Sequence, residues 1–208
     1  MEGGISPTSS RKRVPELAAA KNLKTFKALS SLAASLDLNA PGTRLTAAQL
    51  AEAVKADSAI ADYMSESDYH PAFISAPWPT GGLDETNLKT VFNAELMTLF
   101  KDDLQYTTPP STDLSQYLVK QWSPTDAKGF MARLSNTQVD DDQKPSAEAF
   151  GRILNQFKAN LTDLQVYTVG PKGDDGKLGD SDGLYGYLVV GKSADGKAAG
   201  FVVGSVQT

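Results

Sequence analysis

Apolar residues between Pro15 and Leu38 recur mostly at steps of three and four: Leu17, Leu23, Phe26, Leu29, Leu32, Ala33 and Leu36. A 3.6-residue period gathers such positions on one face, so the stretch predicts one or two amphipathic helices. Asn39–Gly42 then carries turn chemistry. Thr46 precedes Gln49 by three residues, the spacing of a reciprocal cap at a helix start. Leu50, Val54 and Ala61 share a face beyond it, predicting a helix from Ala47 to about Ala61.

Farther on the pattern alternates between helix and strand periods. Ser65–Pro71 is dense in turn-forming residues and reads as a loop. Ala72–Trp78 reads as a short strand, ended by Pro79–Gly82. Leu88, Val91, Phe92, Leu96, Leu99 and Phe100 suggest a strand passing into a helix over Glu85–Gln105, and Asp113–Trp122 suggests a helix. Ser123 followed by Pro124 marks another helix start, running to about Leu134. Asp140–Asp142 reads as a solvated loop. Ser146 then opens a helix whose Phe150, Ile153, Leu154, Phe157 and Leu161 keep helical spacing. Gln165–Val169 and Tyr185–Val190 alternate as strands, with Gly170–Gly183 as the connection. Asp195-Gly196 joins the second of these to Ala199–Val206 as a hairpin. The sum is an α/β or α+β domain, with helices packed on a mixed or antiparallel sheet.

Composition narrows the chemistry. The net charge is −5, which repels a phosphate backbone and disfavours direct nucleic-acid binding while favouring a basic partner. Arg11-Lys12-Arg13 is too small a basic cluster to reverse this. No run of about 18 apolar residues occurs, so no membrane span is read. No apolar stretch directly follows Arg11–Arg13, and the compartment stays open. Cys is absent, removing disulfides, thiol nucleophiles and zinc–thiolate sites together. His70 is the sole histidine, without a Gly-x-Ser-x-Gly elbow to serve. Asp174, Asp175, Asp180 and Asp182 fail the calcium-loop pattern, because Leu184 falls where an oxygen ligand belongs. No phosphate loop, dinucleotide fingerprint or zinc motif is present. The expectation is a protein that is not an enzyme and holds neither cofactor nor metal of its own.

Three separated pieces stand out together. One is Met64-Ser65-Glu66-Ser67-Asp68-Tyr69, with Pro71 close behind. Another is Phe157–Leu161 leading into Gln165-Val166-Tyr167. The third is Tyr187–Lys192 with Gly196–Gly200, and a stretch ending Val206-Gln207-Thr208. In this order they resemble the nuclease A inhibitor family, and the resemblance covers roughly 46–80 and 146–208. It divides the chain into an N-terminal arm and helical extension, 1–45, and an inhibitor-like domain, 46–208. It implies a three-layer α-β-α sandwich, similar to the pathogenesis-related-protein-like fold, with helices on both faces of the sheet. It also implies a one-to-one inhibitor of a Mg²⁺-dependent, sugar-non-specific nuclease. In the family a glutamate on the acidic loop reaches the nuclease's metal centre, and Glu66 matches it. Thr208 matches a C-terminal threonine of the blocking surface. Ser65, Ser67, Asp68, Tyr69 and Trp78 are the further contact candidates. Trp78 and Trp122 also suit a core, and a binding module of the same fold with another partner is the alternative. The chain departs from the family in its N-terminal extension, in the long Gly/Asp loop after Val169, and in His70 between Tyr69 and Pro71.

Overall fold

The computed structural model describes residues 43–64, 68–101, 113–173, 176–178 and 183–207. The chain divides into two units, Met1–Thr43 and Arg44–Thr208, and every element below belongs to the second. The helices expected over Pro15–Leu38 and the Asn39–Gly42 turn lie outside the described residues.

Helix α1 spans Ala47–Ser58 and starts at the expected cap. Gln49 N–H donates to Thr46 Oγ1 at 3.3 Å, and Thr46 N–H donates to Gln49 Oε1 at 3.0 Å. Two donors that lack partners within the helix are thereby satisfied. The helix stops three residues short of Ala61, which is nevertheless fully buried.

Next come two-residue strands β1 (Tyr63–Met64) and β2 (Asp68–Tyr69), paired antiparallel, where the sequence suggested only a loop. β3 (Ala72–Pro77) follows as expected. The strand-to-helix reading of Glu85–Gln105 needs correction. Its described part holds two short helices, α2 (Leu88–Val91) and α3 (Asn93–Leu99). Leu88, Phe92, Leu96 and Phe100 are fully buried at four-residue steps, a helical stripe interrupted only by the backbone at Phe92.

Asp113–Trp122 is corrected as well, since Tyr117–Gln121 is strand β4. Tyr117 and Val119 turn to one face while Leu118, Lys120 and Trp122 belong to the other. Helix α4 (Pro124–Leu134) has the expected Ser123 cap, accepting from Asp126 N–H at 3.2 Å. Helix α5 (Lys144–Asn160) begins two residues before Ser146, with Gln143 at its cap position. Ser146 is not a cap. Its hydroxyl donates to Asp62 C=O and accepts from Asp62 N–H, each at 2.7 Å, pinning α5 to the segment after α1.

Strands β5 (Thr162–Pro171), β6 (Gly183–Lys192) and β7 (Lys197–Gln207) form the expected meander. The main sheet runs β3-β7-β6-β5-β4 with every neighbouring pair antiparallel. Gly196, at φ +73°, makes the tight β6–β7 turn in a conformation that other residues enter at a cost.

The described part of the protein is thus mixed α/β, with five helices and a five-stranded antiparallel sheet. Apolar residues divide between two cores by strand alternation. Tyr185, Tyr187, Val189, Phe201 and Val203 join one core with residues of α1, α4 and α5. Leu184, Leu188, Val190 and Val202 join another with residues of α2 and α3. β6 is buried along most of its length because both of its faces are covered, which explains its nearly unbroken apolar run.

Candidate functional site

The β1–β2 hairpin is built on two tyrosines. Tyr63 and Tyr69 are cross-strand partners, as are Met64 and Asp68. The Tyr63 ring lies 5.7 Å from Tyr187 and 6.3 Å from Phe130, tilted against both. Burial pushes the Tyr63 phenol above its ordinary range, opposed by the Arg133 charge.

Tyr69 lies across β7. A Cβ placed on Gly204 would fall 2.8 Å from Tyr69 Cδ1, so the ring occupies space that only glycine leaves free. Both short strands contact β7. The base of the acidic hairpin therefore rests on the last third of the terminal strand, close to where Val206 pairs with Leu184 and Gln207 with Gly183. Tyr69 and Gly204, 135 residues apart in the sequence, are thus adjacent in the fold.

The remaining candidates are distributed differently. Ser65, Glu66, Ser67 and Thr208 lie outside the described residues. Asp68 is placed by its backbone in β2. His70 is exposed, and its Nδ1–H donates to Ala61 C=O at 2.8 Å, closing the segment between α1 and β3. Trp78 is half-buried against the α2/α3 core, with Lys192 Nζ 5.8 Å from its ring centroid. Its backbone N–H donates to Gly196 C=O at 3.4 Å, at the β6–β7 turn. At ~3.3 Å per residue, the seven residues from Lys197 to Gly204 put the two ends of that stretch about 23 Å apart.

Trp122 is half-buried against the core shared with α1, α4 and α5. It packs at 5.1 Å from Phe130 and 6.2 Å from Tyr187, and its Nε1–H donates to Thr168 Oγ1 at 2.6 Å. Tyr167 is structural too: its hydroxyl donates to Leu83 C=O at 2.9 Å, and burial drives its phenol strongly upward. No family model matches this chain, and no curated protein matches it.

Sequence reasoning missed two features. The first is a cavity of about 210 Å³ between Tyr63, α4 and α5, near which Asp62 Oδ1 is buried without a hydrogen-bond partner among the described residues. The second is a larger cavity of about 430 Å³ between α4 and the β4–β6 side of the sheet. Neither has a local sequence signal, because their walls come from segments joined only by folding. No group of three or more His, Cys, Asp or Glu suited to a metal occurs among the described residues.

Proposed function

We propose that this protein is a one-to-one inhibitor of a Mg²⁺-dependent, sugar-non-specific nuclease, acting through the β1–β2 hairpin and the adjoining end of β7. The observation that carries the reading is the Tyr69 ring seated on Gly204, which puts the base of the acidic hairpin beside the terminal strand. These are the two regions that a blocking surface of this family requires together.

The proposed chemistry is substrate mimicry. A nuclease of this class uses a hydrated Mg²⁺ to stabilise charge on a phosphate. Mg²⁺ prefers oxygen ligands and keeps several waters. Glu66, between β1 and β2 in the sequence, supplies a carboxylate oxygen where a phosphate oxygen would sit. Thr208, one residue past β7, adds a contact beside it, and Ser65, Ser67 and Asp68 complete the loop. Tyr63 and Tyr69 hold the base of that loop before the partner arrives, which lowers the entropic cost of binding. The net charge of −5 favours encounter with a basic cleft. Trp78, at the other end of β7, is left to the fringe of the contact.

The fold belongs to the same proposal. A three-layer α-β-α sandwich, similar to the pathogenesis-related-protein-like fold, needs helices against both faces of one sheet. Separate cores shared with α1, α4 and α5 and with α2 and α3 support it.

The direct test titrates the full chain into a fixed amount of such a nuclease from the same source while DNA digestion is followed. Inhibition that reaches completion near one equivalent is the expected result. Undiminished digestion at large excess, with no complex formed, refutes the proposal.

A further inference from the structure

We propose that the cavity between α4 and the sheet is a binding site for a small planar aromatic carboxylate. This inference is independent of the inhibitor reading, because the cavity faces α4 and not the β1–β2 hairpin.

Its floor is a row across three strands. Lys120 of β4 is paired with Thr168 of β5, and Thr168 with Tyr187 of β6, and all three line the cavity. Trp122 and Tyr185 add aromatic surface to the same wall. At about 430 Å³ the space is within the range of small-ligand pockets, roughly 300–1,000 Å³. Flat rings suit aromatic walls, through stacked and edge contacts.

The polar groups select the charge. Thr168 is 5% exposed, and its oxygen already accepts from Trp122 Nε1–H. Among the described residues its own O–H has no acceptor, so a buried donor is left facing the cavity. Lys120 and Arg133 stand at the rim, and neither makes an ion pair or side-chain hydrogen bond among the described residues. Among the described residues Asp126 is the one lining carboxylate, and it accepts from the Ser123 hydroxyl at 2.7 Å. Two free cations and a free hydroxyl donor offer hydrogen bonds to an anion, while a ligand cation would meet repulsion. Arg in particular matches a carboxylate with two parallel N–H donors.

On the α4 side, Gly129 leaves the wall without a side chain. Glycine inside a helix costs about 1 kcal/mol against alanine. Here no neighbour demands it, since a Cβ would meet only Arg133 Nη1, at 3.8 Å. The glycine lines the cavity and keeps it open under the helix.

The test uses 2-naphthoate as the probe and the Trp122 indole N–H cross-peak as the reporter, assigned with a Trp78→Phe variant of the full chain. A saturable shift of the Trp122 peak is expected. Binding should weaken at least about tenfold in Lys120→Met/Arg133→Met, where charge-assisted hydrogen bonds are lost. A similar loss is expected for Gly129→Leu, which fills the space, and for the neutral probe 2-naphthamide. Should Gly129→Leu not fold, the charge variant decides alone, because both of its positions are exposed. Three results would overturn the proposal: no saturable shift with the fold intact, a shift confined to Trp78, or equal binding of naphthoate and naphthamide.

Discussion

The ring of Tyr69 lies across Gly204, 2.8 Å from where a Cβ on that glycine would stand. Alanine in a strand is otherwise preferred to glycine by roughly 0.5–1 kcal/mol. Here the clash with a half-buried ring outweighs that gain. Gly204→Ala should lower stability by about 1–3 kcal/mol in urea denaturation, the ordinary cost of overpacking. The loss should shrink in a Tyr69→Ala background, because the two residues share one space. An equal loss in both backgrounds would show that the contact is not the cause.

The inhibitor proposal makes its own demand on Glu66. Glu66→Gln keeps the side chain's size and removes the charge aimed at the nuclease metal. Inhibition should weaken at least ~30-fold, the low end for breaking a desolvated charge pair. The thermal midpoint of the free protein should stay unchanged. Unaltered potency would rule out the metal-directed mechanism.

Salt separates steering from contact. With a net charge of −5, association with a basic cleft should slow as ionic strength rises from 20 to 200 mM in stopped-flow experiments, roughly as screening shortens the reach of charge to below ~10 Å. Dissociation should change less. Salt-independent association would argue against electrostatic encounter.

Asp195 ties the β6–β7 turn to the start of α1. Its Oδ1 accepts from Ala47 N–H at 2.9 Å and from Ser193 Oγ at 2.7 Å. The Ala47 N–H bond, then the Ser193 bond, hold its carboxyl below the ordinary value of 3.8. A carboxylate lowered in the folded state stabilises the protein fully above the unfolded value. That contribution declines below about pH 3.8 and is lost as pH falls through the folded value. Asp195→Asn should therefore flatten the acid limb of the stability–pH curve below pH ~4, while keeping an oxygen for Ala47. Asp195→Ala should cost about 0.5–2 kcal/mol even at pH 7, as loss of a helix cap does. An acid limb identical to that of the parent in Asp195→Asn would exclude this role.

Leu45 shows how far the domain reaches before its first helix. It is buried, its N–H donates to Asn160 Oδ1 at 2.9 Å, and its C=O accepts from Ala194 N–H at 3.2 Å. Asn160→Ala would leave a buried N–H unpaired, and should destabilise by roughly 1–3 kcal/mol in chemical denaturation. A cost near zero would mean that water or a rearranged neighbour takes the place of Asn160.

Some of this protein was legible from sequence because the deciding interactions are local. Thr46 and Gln49 cap α1 across three residues, Ser123 and Pro124 start α4, and Asp195-Gly196 closes the β6–β7 hairpin. The stripe Phe150, Ile153, Leu154 and Phe157 follows helical geometry within one element. Tertiary structure decided the rest. Tyr117–Gln121 is a strand because β5, about 50 residues away, supplies its hydrogen bonds. Leu88–Leu99 became helices because a stripe at four-residue steps covers a sheet face whose existence that segment cannot announce. Ser146 left the capping role for the backbone of Asp62, 84 residues away. The meeting of Tyr69 with Gly204, and of Lys120 and Thr168 with α4, also needed folding. Sequence spacing fixes what lies within a turn or two of a residue, whereas only the closed sheet and its packed helices determine which distant side chains share one space.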